Sequence, residues 1–195
     1  VNLKVNPKKT NLCAATIRFL GFDITGDKIT IPKAKSMAIL NLRPPQSKKE
    51  VQRVLGSFNY FRRFVREYSK KLSCIFNLLK KNVEFEWTEQ HQKAFDLVKN
   101  QLANDVETYI ASPTGHFIVQ TDSSYSHHAG VLLQVDSLGI KRLVATYSGQ
   151  YNKAQQKYAI FAKECFSLFM SIKQFRFYIA DKIFSCMVDN RAILY

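Results

Sequence analysis

Three runs of sequence decide the fold of this chain: HFIVQTDS (116–123), GVLLQV (130–135) and KRLVATYSG (141–149). In the first run, apolar and polar residues alternate, as is typical of a strand with one buried face. Short polar turns separate the runs, and we interpret His127 and His128 as part of a solvated turn between the first two. Three strands joined by short turns predict an antiparallel meander.

A long helix and a fourth strand follow the meander. The helix is predicted over 153–173, and residues 175–182 are predicted as a connection. The fourth strand is IFSCMVD (183–189), and because it follows a helical crossover it should pair in parallel with the first strand. We expect the helix to pack on the sheet through Tyr158, Phe161, Ala162, Cys165, Phe169 and Ile172.

The residues before the meander predict a hairpin and several helices. TIRFLGFDITGDKITIP (16–32) contains two β-rich runs around a turn at 26–28, which indicates a hairpin. Residues 72–79 and the segment that begins at Thr88 predict two further helices. The loop 112–115 is the candidate boundary between the two halves of the chain.

The clearest helix of the first half is predicted over 47–66. Ser47 and Glu50 form an S-x-x-E capping box before it, and the apolar residues that follow recur at helical spacing. Gly56 lies inside the helix, where glycine costs about 1 kcal/mol relative to alanine, and we interpret it as a point of close packing. The opposite face is basic and carries Lys48, Lys49, Arg53, Arg62, Arg63 and Arg66.

The net charge of the chain comes entirely from its first part. The chain has 29 basic and 15 acidic residues, for a net charge of +14. Residues 1–83 contain 18 basic and 4 acidic residues, whereas residues 84–195 contain 11 of each. A basic half beside a neutral half predicts a module that binds nucleic acid. The alternative interpretation is a solvated basic surface that aids solubility.

Three acidic residues of the second half occupy positions where they could carry chemistry. Asp122 lies near the C-terminal end of the first strand, Glu164 lies on the helix and Asp189 ends the fourth strand. The predicted topology makes these two strands neighbours, which could bring the three carboxylates together. Clustered carboxylates favour a divalent cation, and Mg²⁺ prefers oxygen ligands. The alternative is that they are ordinary polar residues at strand ends and on a helix surface.

Four segments of the second half carry recognisable motifs: TDSSYSHHAGVLLQV (121–135), YAIFAKECFS (158–167), QFRFYIA (174–180) and Val-Asp-Asn at 188–190. In that order they resemble the T-D-A-S motif with its following strand, the N-Y-x-x-x-E-K-E segment, the F-R-x-Y-L segment and the T-D-H motif. These are RNase H motifs of the Pol polyproteins of Gypsy-type (Metaviridae-like) LTR retroelements, a retrotransposon family.

The first half is similar to the reverse transcriptase of the same family. FLGF (19–22) and the hairpin after it resemble the primer grip, and KKEVQRVLGSFNYFRRFVREYSK (48–70) resembles the thumb. FEWTEQHQKAF (85–95) resembles the F-x-W-T-x-E-x-x-x-A-F segment. The resemblance implies an α+β fold, with a primer-grip hairpin and helical thumb before a truncated RNase H-like mixed β-sheet with a crossover helix. The implied domains are 1–111, for the palm end, primer grip and thumb, and 112–195, for a C-terminally truncated RNase H-like domain.

The resemblance also implies roles for individual residues. Asp122, Glu164 and Asp189 fall on three of the family's four RNase H carboxylates, which are catalytic and bind Mg²⁺ (or Mn²⁺). The implied nucleic-acid-binding residues are Phe19, Leu20, Gly21, Lys48, Lys49, Arg53, Arg62, Arg63 and Arg66.

The sequence departs from the family pattern in ways that bear on activity. The chain ends at Tyr195, before the family's fourth carboxylate, and the polymerase aspartates of an upstream Tyr-x-Asp-Asp region are absent. Asn190 replaces the usual histidine. The full enzyme would be an RNA-directed nucleotidyltransferase and a hydrolase with endonuclease activity. We expect this chain to be inactive by itself and to hold its metal ion only in the complete site.

The expected function is that of a fragment of a retroelement reverse transcriptase–RNase H. It would grip the primer–template duplex and contribute to Mg²⁺-dependent hydrolysis of RNA in RNA·DNA hybrids. The alternative is a host-adopted, non-catalytic module that binds nucleic acid or protein. Expected partners are an RNA·DNA hybrid or DNA duplex and the remainder of the Pol polyprotein, and an exposed strand edge would permit a homodimer.

Sequence features also limit the classes of site and location. No G-x-S-x-G motif and no glycine-rich phosphate loop offers a competing active site. No secretory signal or membrane-length apolar run is visible in the sequence. We therefore expect an intracellular protein, in a cytoplasmic particle or the nucleus.

Overall fold

The computed structural model describes residues 4, 6, 10–104 and 106–189. Within them the fold is α+β, with two four-stranded sheets and six α-helices, which confirms the expected fold class. None of the helices in these residues is long and apolar enough to cross a membrane.

The first sheet is antiparallel and contains the predicted hairpin, which turns at Gly26 and Asp27. Two short strands extend it beyond the prediction: β1 pairs with β2, and β4 returns after the helices to pair with β3. Strands of three or four residues are too short to show an alternating pattern, so the sequence did not reveal them. The strands in spatial order are β1 (Thr16–Phe19), β2 (Phe22–Thr25), β3 (Lys28–Thr30) and β4 (Glu107–Tyr109).

The helices of the first half pack around one apolar core. The Ser47 hydroxyl accepts a hydrogen bond from the Glu50 N–H at 3.3 Å, and Thr88 and His91 form a capping box at the next long helix. The predicted apolar stripe of the first long helix is buried, including Phe58. The helices are α1 (Lys33–Leu40), α2 (Lys48–Tyr60), α3 (Tyr68–Lys71), α4 (Ser73–Asn77) and α5 (Glu89–Ala103).

The second sheet has the predicted meander and the predicted parallel fourth strand. Its spatial order is β7–β6–β5–β8, in which only the β5–β8 pair is parallel. The helix α6 (Ile160–Ile179) crosses from β7 to β8 and packs on the sheet. The strands are β5 (His116–Ser123), β6 (His127–Val135), β7 (Lys141–Gln150) and β8 (Phe184–Met187).

The interpretation of the histidine pair as a solvated turn is wrong, because β6 begins at His127. His127 and His128 are strand residues that are 8% and 4% exposed. Burial lowers the pKa of His128 to about 4. Its neighbour on β7 is Gly149, where a Cβ would lie 2.6 Å from the imidazole ring, so the absence of a side chain makes room for it. The His128 ring packs against Tyr147, Tyr151 and Phe166.

The helix α6 begins later, ends later and buries a different face than predicted. A 3₁₀ turn at Gln155–Lys157 precedes it, and it continues through Phe175 into the segment that the sequence assigned to a connection. Phe161 and Phe169, which were expected on the sheet, are 47% and 61% exposed. The buried residues of the helix are Lys163, Ser167, Ser171, Phe175 and Ile179.

Small residues explain this different face. The Ser167 hydroxyl lies 3.0 Å from the Asp122 carbonyl oxygen and 3.2 Å from the Ala129 carbonyl oxygen. A Cβ at Gly130 of β6 would lie 2.7 Å from the Cβ of Ser171. The helix therefore approaches the sheet closely through small side chains, and hydrophobic periodicity does not detect such a contact.

The helix α2 ends at Tyr60 instead of continuing to residue 66, because the next residues dock on β7. A 3₁₀ turn covers Arg62–Phe64, and Glu67 adopts a left-handed φ of 54°. The Thr146 hydroxyl of β7 lies 3.1 Å from the Arg63 carbonyl oxygen. The Ser69 N–H donates to the Ser148 hydroxyl at 2.9 Å. Polar contacts to the second sheet thus replace hydrogen bonds that a longer helix would make.

Candidate functional site

The three carboxylates singled out in the sequence line one small cavity. Asp122 lies near the end of β5, Glu164 near the start of α6 and Asp189 just after β8. The accessible volume of the cavity is about 30 Å³, which has room for one or two water-sized occupants. The parallel pairing of β5 with β8 and the crossover of α6 bring these residues together, as the predicted topology implied.

Glu164 is the member of this group that most needs a partner. Its Oε2 atom is buried and accepts no hydrogen bond in the part of the chain that the structure describes. A buried carboxylate oxygen without a partner is unfavourable, and a divalent cation with oxygen ligands would relieve that cost. Among the described residues, however, no three acidic, histidine or cysteine side chains are arranged to hold a metal ion together. The three carboxylates are therefore suitable ligand types for a divalent cation, and their role as metal ligands stays a prediction.

The Asp122 carboxylate also contacts the first half of the chain. The Lys70 Nζ lies 3.9 Å from the Asp122 Oδ2, and Lys70 forms an ion pair with Glu67. Burial, together with the nearby Glu67, raises the pKa of Asp122, and the Lys70 ammonium partly opposes this shift. Glu67 has a lowered pKa because Lys70 donates to it. Sequence reasoning missed both residues, since they lie more than fifty positions away and no local pattern links them to β5.

The segment that resembles a primer grip forms an exposed turn between β1 and β2. Phe19 is 57% exposed and Leu20 is 73% exposed. Gly21 has a φ of 74°, a left-handed conformation that favours glycine. The Phe19 and Leu20 side chains therefore project from the sheet edge, where a large partner could contact them.

Some residues of the predicted basic face are exposed, whereas others contact backbone carbonyl oxygens of the chain. Lys48 is half-buried and donates to the Lys80 carbonyl oxygen at 3.0 Å. Arg63 is half-buried, and its Nη2 lies 3.5 Å from the Val144 carbonyl oxygen of β7. Four residues remain exposed, and none of them forms an ion pair within the described residues: Lys49, Arg53, Arg62 and Arg66.

The interpretation of Gly56 as a point of close packing is wrong. It lies on the exposed side of α2, and a Cβ at this position would meet no atom within 4 Å. The backbone of α2 is therefore open to solvent at this point. Glycine at such a position permits close approach of a partner to the helix backbone.

The sequence of this chain is similar to sequences of known proteins. Residues 87–186 match the family model described as the RNase H-like domain found in reverse transcriptase. The whole chain is 31% identical to the Drosophila melanogaster retrovirus-related Pol polyprotein from transposon 412 and covers 16% of that protein. It is 28% identical to the Schizosaccharomyces pombe transposon Tf2-3 polyprotein, with 99% of this chain and 15% of that protein covered. The chain thus spans about one sixth of the length of these relatives.

Solved structures share the fold. The foamy viral protease-reverse transcriptase in complex with dsDNA gives a TM-score of 0.77 at 20% identity, and the match covers 96% of this chain and 40% of that one. The same protein in complex with RNA/DNA hybrid also gives 0.77, at 19% identity, with 95% and 26% covered. The resemblance to retroelement Pol polyproteins is confirmed, and the chain belongs to the family of RNase H-like domains found in reverse transcriptase.

Proposed function

We propose that this chain grips an RNA·DNA hybrid or a DNA duplex and contributes to divalent-metal-dependent hydrolysis of the RNA strand. The observation that carries the proposal is a set of four exposed cations on and after α2, none of which forms an ion pair among the described residues. Exposed cations attract phosphates, and such contacts give affinity that is independent of sequence and sensitive to salt. The related structures with bound dsDNA and RNA/DNA hybrid support this class of partner.

The exposed backbone at Gly56 supports a duplex as the occupant of this surface. Gly56 lies on α2 between Arg53 and Tyr60, and no atom of the described residues would lie within 4 Å of a Cβ at this position. Glycine inside a helix costs about 1 kcal/mol, so its presence here is explained if a bulky partner approaches the helix backbone. Phosphates flanking that approach would be neutralised by the exposed arginines.

Substitution of Gly56 by alanine should separate stability from binding. Because the added methyl group meets no atom, the chain should become more stable by about 1 kcal/mol, the difference in helix propensity. Affinity for an RNA·DNA hybrid should nevertheless fall, since the methyl group occupies the approach surface. Urea denaturation and fluorescence anisotropy measure the two effects. A gain in stability with unchanged affinity would place the duplex elsewhere.

The three carboxylates are proposed to supply the metal site. RNase H-like domains generally use divalent metal ions. Here Asp122, Glu164 and Asp189 would hold Mg²⁺ or Mn²⁺, which when bound activates water and stabilises the leaving oxygen of a phosphodiester. The Ser167 hydroxyl donates to the Asp122 carbonyl oxygen and so fixes the end of β5 against α6. Lys70 places a positive charge beside Asp122, which partly opposes the rise in the pKa of that carboxyl group.

The proposal is tested by incubating the 195-residue chain with a labelled RNA·DNA hybrid in Mg²⁺ and measuring binding and cleavage together. We expect salt-sensitive binding without cleavage, and the same binding by the Asp122→Asn variant. Cleavage that is lost in this variant would contradict the expected inactivity of the chain alone and support the metal site. Absence of binding at low salt would overturn the proposed grip.

The proposed context is the remainder of a Pol polyprotein, within an intracellular particle or the nucleus. The second candidate is a host-adopted, non-catalytic module that binds nucleic acid or protein. The net charge of +14 supports nucleic-acid binding by either candidate equally. The second candidate differs from the first in that the carboxylates would be dispensable in the organism. Pairing of two copies along β8 stays a prediction that sedimentation velocity would test.

A further inference from the structure

The turn between β1 and β2 is exposed and held in an unfavourable backbone conformation. Leu20 has a φ of 45° and Gly21 a φ of 74°. The left-handed conformation costs a residue with a side chain about 1–2 kcal/mol. The Leu20 side chain is 73% exposed, so its own packing does not offset that cost. Surrounding contacts must therefore hold the turn in place.

Two side chains from two different helices supply those contacts. The Tyr60 hydroxyl, at the end of α2, donates a hydrogen bond to the Leu20 carbonyl oxygen. The Lys35 ammonium, from α1, donates to the Gly21 carbonyl oxygen at 3.1 Å. Both carbonyl groups of the turn therefore accept a hydrogen bond from a side chain.

The same two side chains are themselves fixed by aromatic contacts. The Tyr60 ring stacks on Phe22, with centroids 5.1 Å apart and planes 4° apart. The Lys35 Nζ lies 5.0 Å from the centroid of the Tyr60 ring and 5.8 Å from that of Phe61. Phe22 in turn meets Phe61 edge to face at 5.9 Å. The turn, α1 and α2 thus form one connected cluster anchored in the core.

The cluster leaves no room for a side chain at position 21. A Cβ at Gly21 would meet the Lys35 ammonium and would lie 2.6 Å from the Tyr60 hydroxyl oxygen. Tyr60 is itself 47% exposed, and the Phe19 and Leu20 side chains project outward from the cluster. The direction in which these two side chains point is therefore set by Lys35 and Tyr60.

We propose that Lys35 and Tyr60 are positioning residues, which aim Phe19 and Leu20 at the duplex without contacting its phosphates. This inference rests on the proposed duplex grip. The Lys35 ammonium is already engaged by a carbonyl oxygen and two ring faces, so it differs from the free cations of α2. Binding should therefore depend on the donor that Lys35 supplies more than on its charge.

The test uses Tyr60→Phe, which keeps the ring stack and removes only the hydroxyl, and Lys35→Met, which removes the ammonium. Lys35→Arg keeps a donor and serves as the rescue variant. Tyr158→Phe and Lys93→Met are matched controls, since both residues are exposed and belong to elements remote from the hairpin in sequence. The affinity of each variant for the hybrid is measured from 50 to 200 mM salt, because the slope of log affinity against log salt concentration reports the number of phosphate contacts. Hydrogen exchange is measured at the Gly21 and Phe22 amides.

We expect Tyr60→Phe and Lys35→Met each to weaken hybrid binding about three- to tenfold, the range of one lost hydrogen bond. Exchange at the turn should accelerate, and the salt slope should stay that of the unmodified chain. Lys35→Arg should restore affinity, and the controls should change nothing.

Two results would overturn the inference. A salt slope reduced by about 0.9 in Lys35→Met would mean that Lys35 binds a phosphate directly. Faster exchange with unchanged affinity would mean that the turn does not serve binding. Failure of the unmodified chain to bind any hybrid would instead remove the proposed function itself, and the unmodified chain reports this separately from the variants.

Discussion

Replacement of Gly130 by valine is expected to destabilise the protein by about 3 kcal/mol, the upper part of the usual range for overpacking a core. A Cβ at this position would lie 2.7 Å from the Ser171 Cβ and 3.3 Å from a ring atom of Phe175. The helix α6 would have to move away from β6, which would separate Ser167 from the carbonyl oxygens that it contacts. Far-UV circular dichroism in urea measures the loss.

The mechanism of this effect is tested by alanine at the same site. Gly130→Ala should cost less than valine, and Ser171→Gly should relieve part of that cost when the two are combined, with a coupling of about 1 kcal/mol. The fluorescence of Trp87, the only tryptophan of the chain, follows the first half independently. Additive effects of the two substitutions would mean that the close contact between Gly130 and Ser171 is not the cause.

Removal of three exposed arginines should abolish most of the affinity for a duplex. If Arg53, Arg62 and Arg66 each bind one phosphate, the triple alanine variant should lower the salt slope by about 2.7 and the affinity roughly a hundredfold at moderate salt. All three are exposed and form no ion pair in the described part of the chain, so their loss should leave the fold intact.

A matched triple variant in the second half controls for charge alone. Lys141, Lys153 and Lys157 are also exposed, and their replacement by alanine removes the same charge from the second half of the chain. We expect this variant to keep nearly full affinity for a hybrid. Equal losses in both triple variants would show that net charge, and not a defined surface, governs binding.

The sequence predicted the second sheet well because its pattern is local and strong. Alternation placed β5 at 116–123, and the helical crossover implied the parallel pairing with β8 that the structure has. The same topology explains why Asp122, Glu164 and Asp189 were expected to meet, and all three line one cavity.

Other features depend on contacts that no local pattern reports. The face of α6 was misassigned because Ser167 and Ser171, rather than large apolar residues, meet the sheet. His128 was assigned to solvent because a polar residue type does not reveal that Gly149 leaves space for its ring. Glu67 and Lys70 approach Asp122 only through the docking of the first half on β7, which is a tertiary contact. Roles that follow from resemblance, such as metal ligation, stay predictions.

The strand β4 links the two halves mechanically. It pairs with β3 of the hairpin sheet, with Lys28 opposite Tyr109, and only residues 110–115 separate it from β5. A displacement of the hairpin would therefore be transmitted through the β3–β4 hydrogen bonds and the short connection at 110–115 to the strand that carries Asp122. We expect the span from the hairpin turn to the carboxylate cavity to stay nearly constant. A duplex held at the turn would then present the same nucleotide to the cavity each time. The fold would thus fix the number of base pairs between the turn and the cavity.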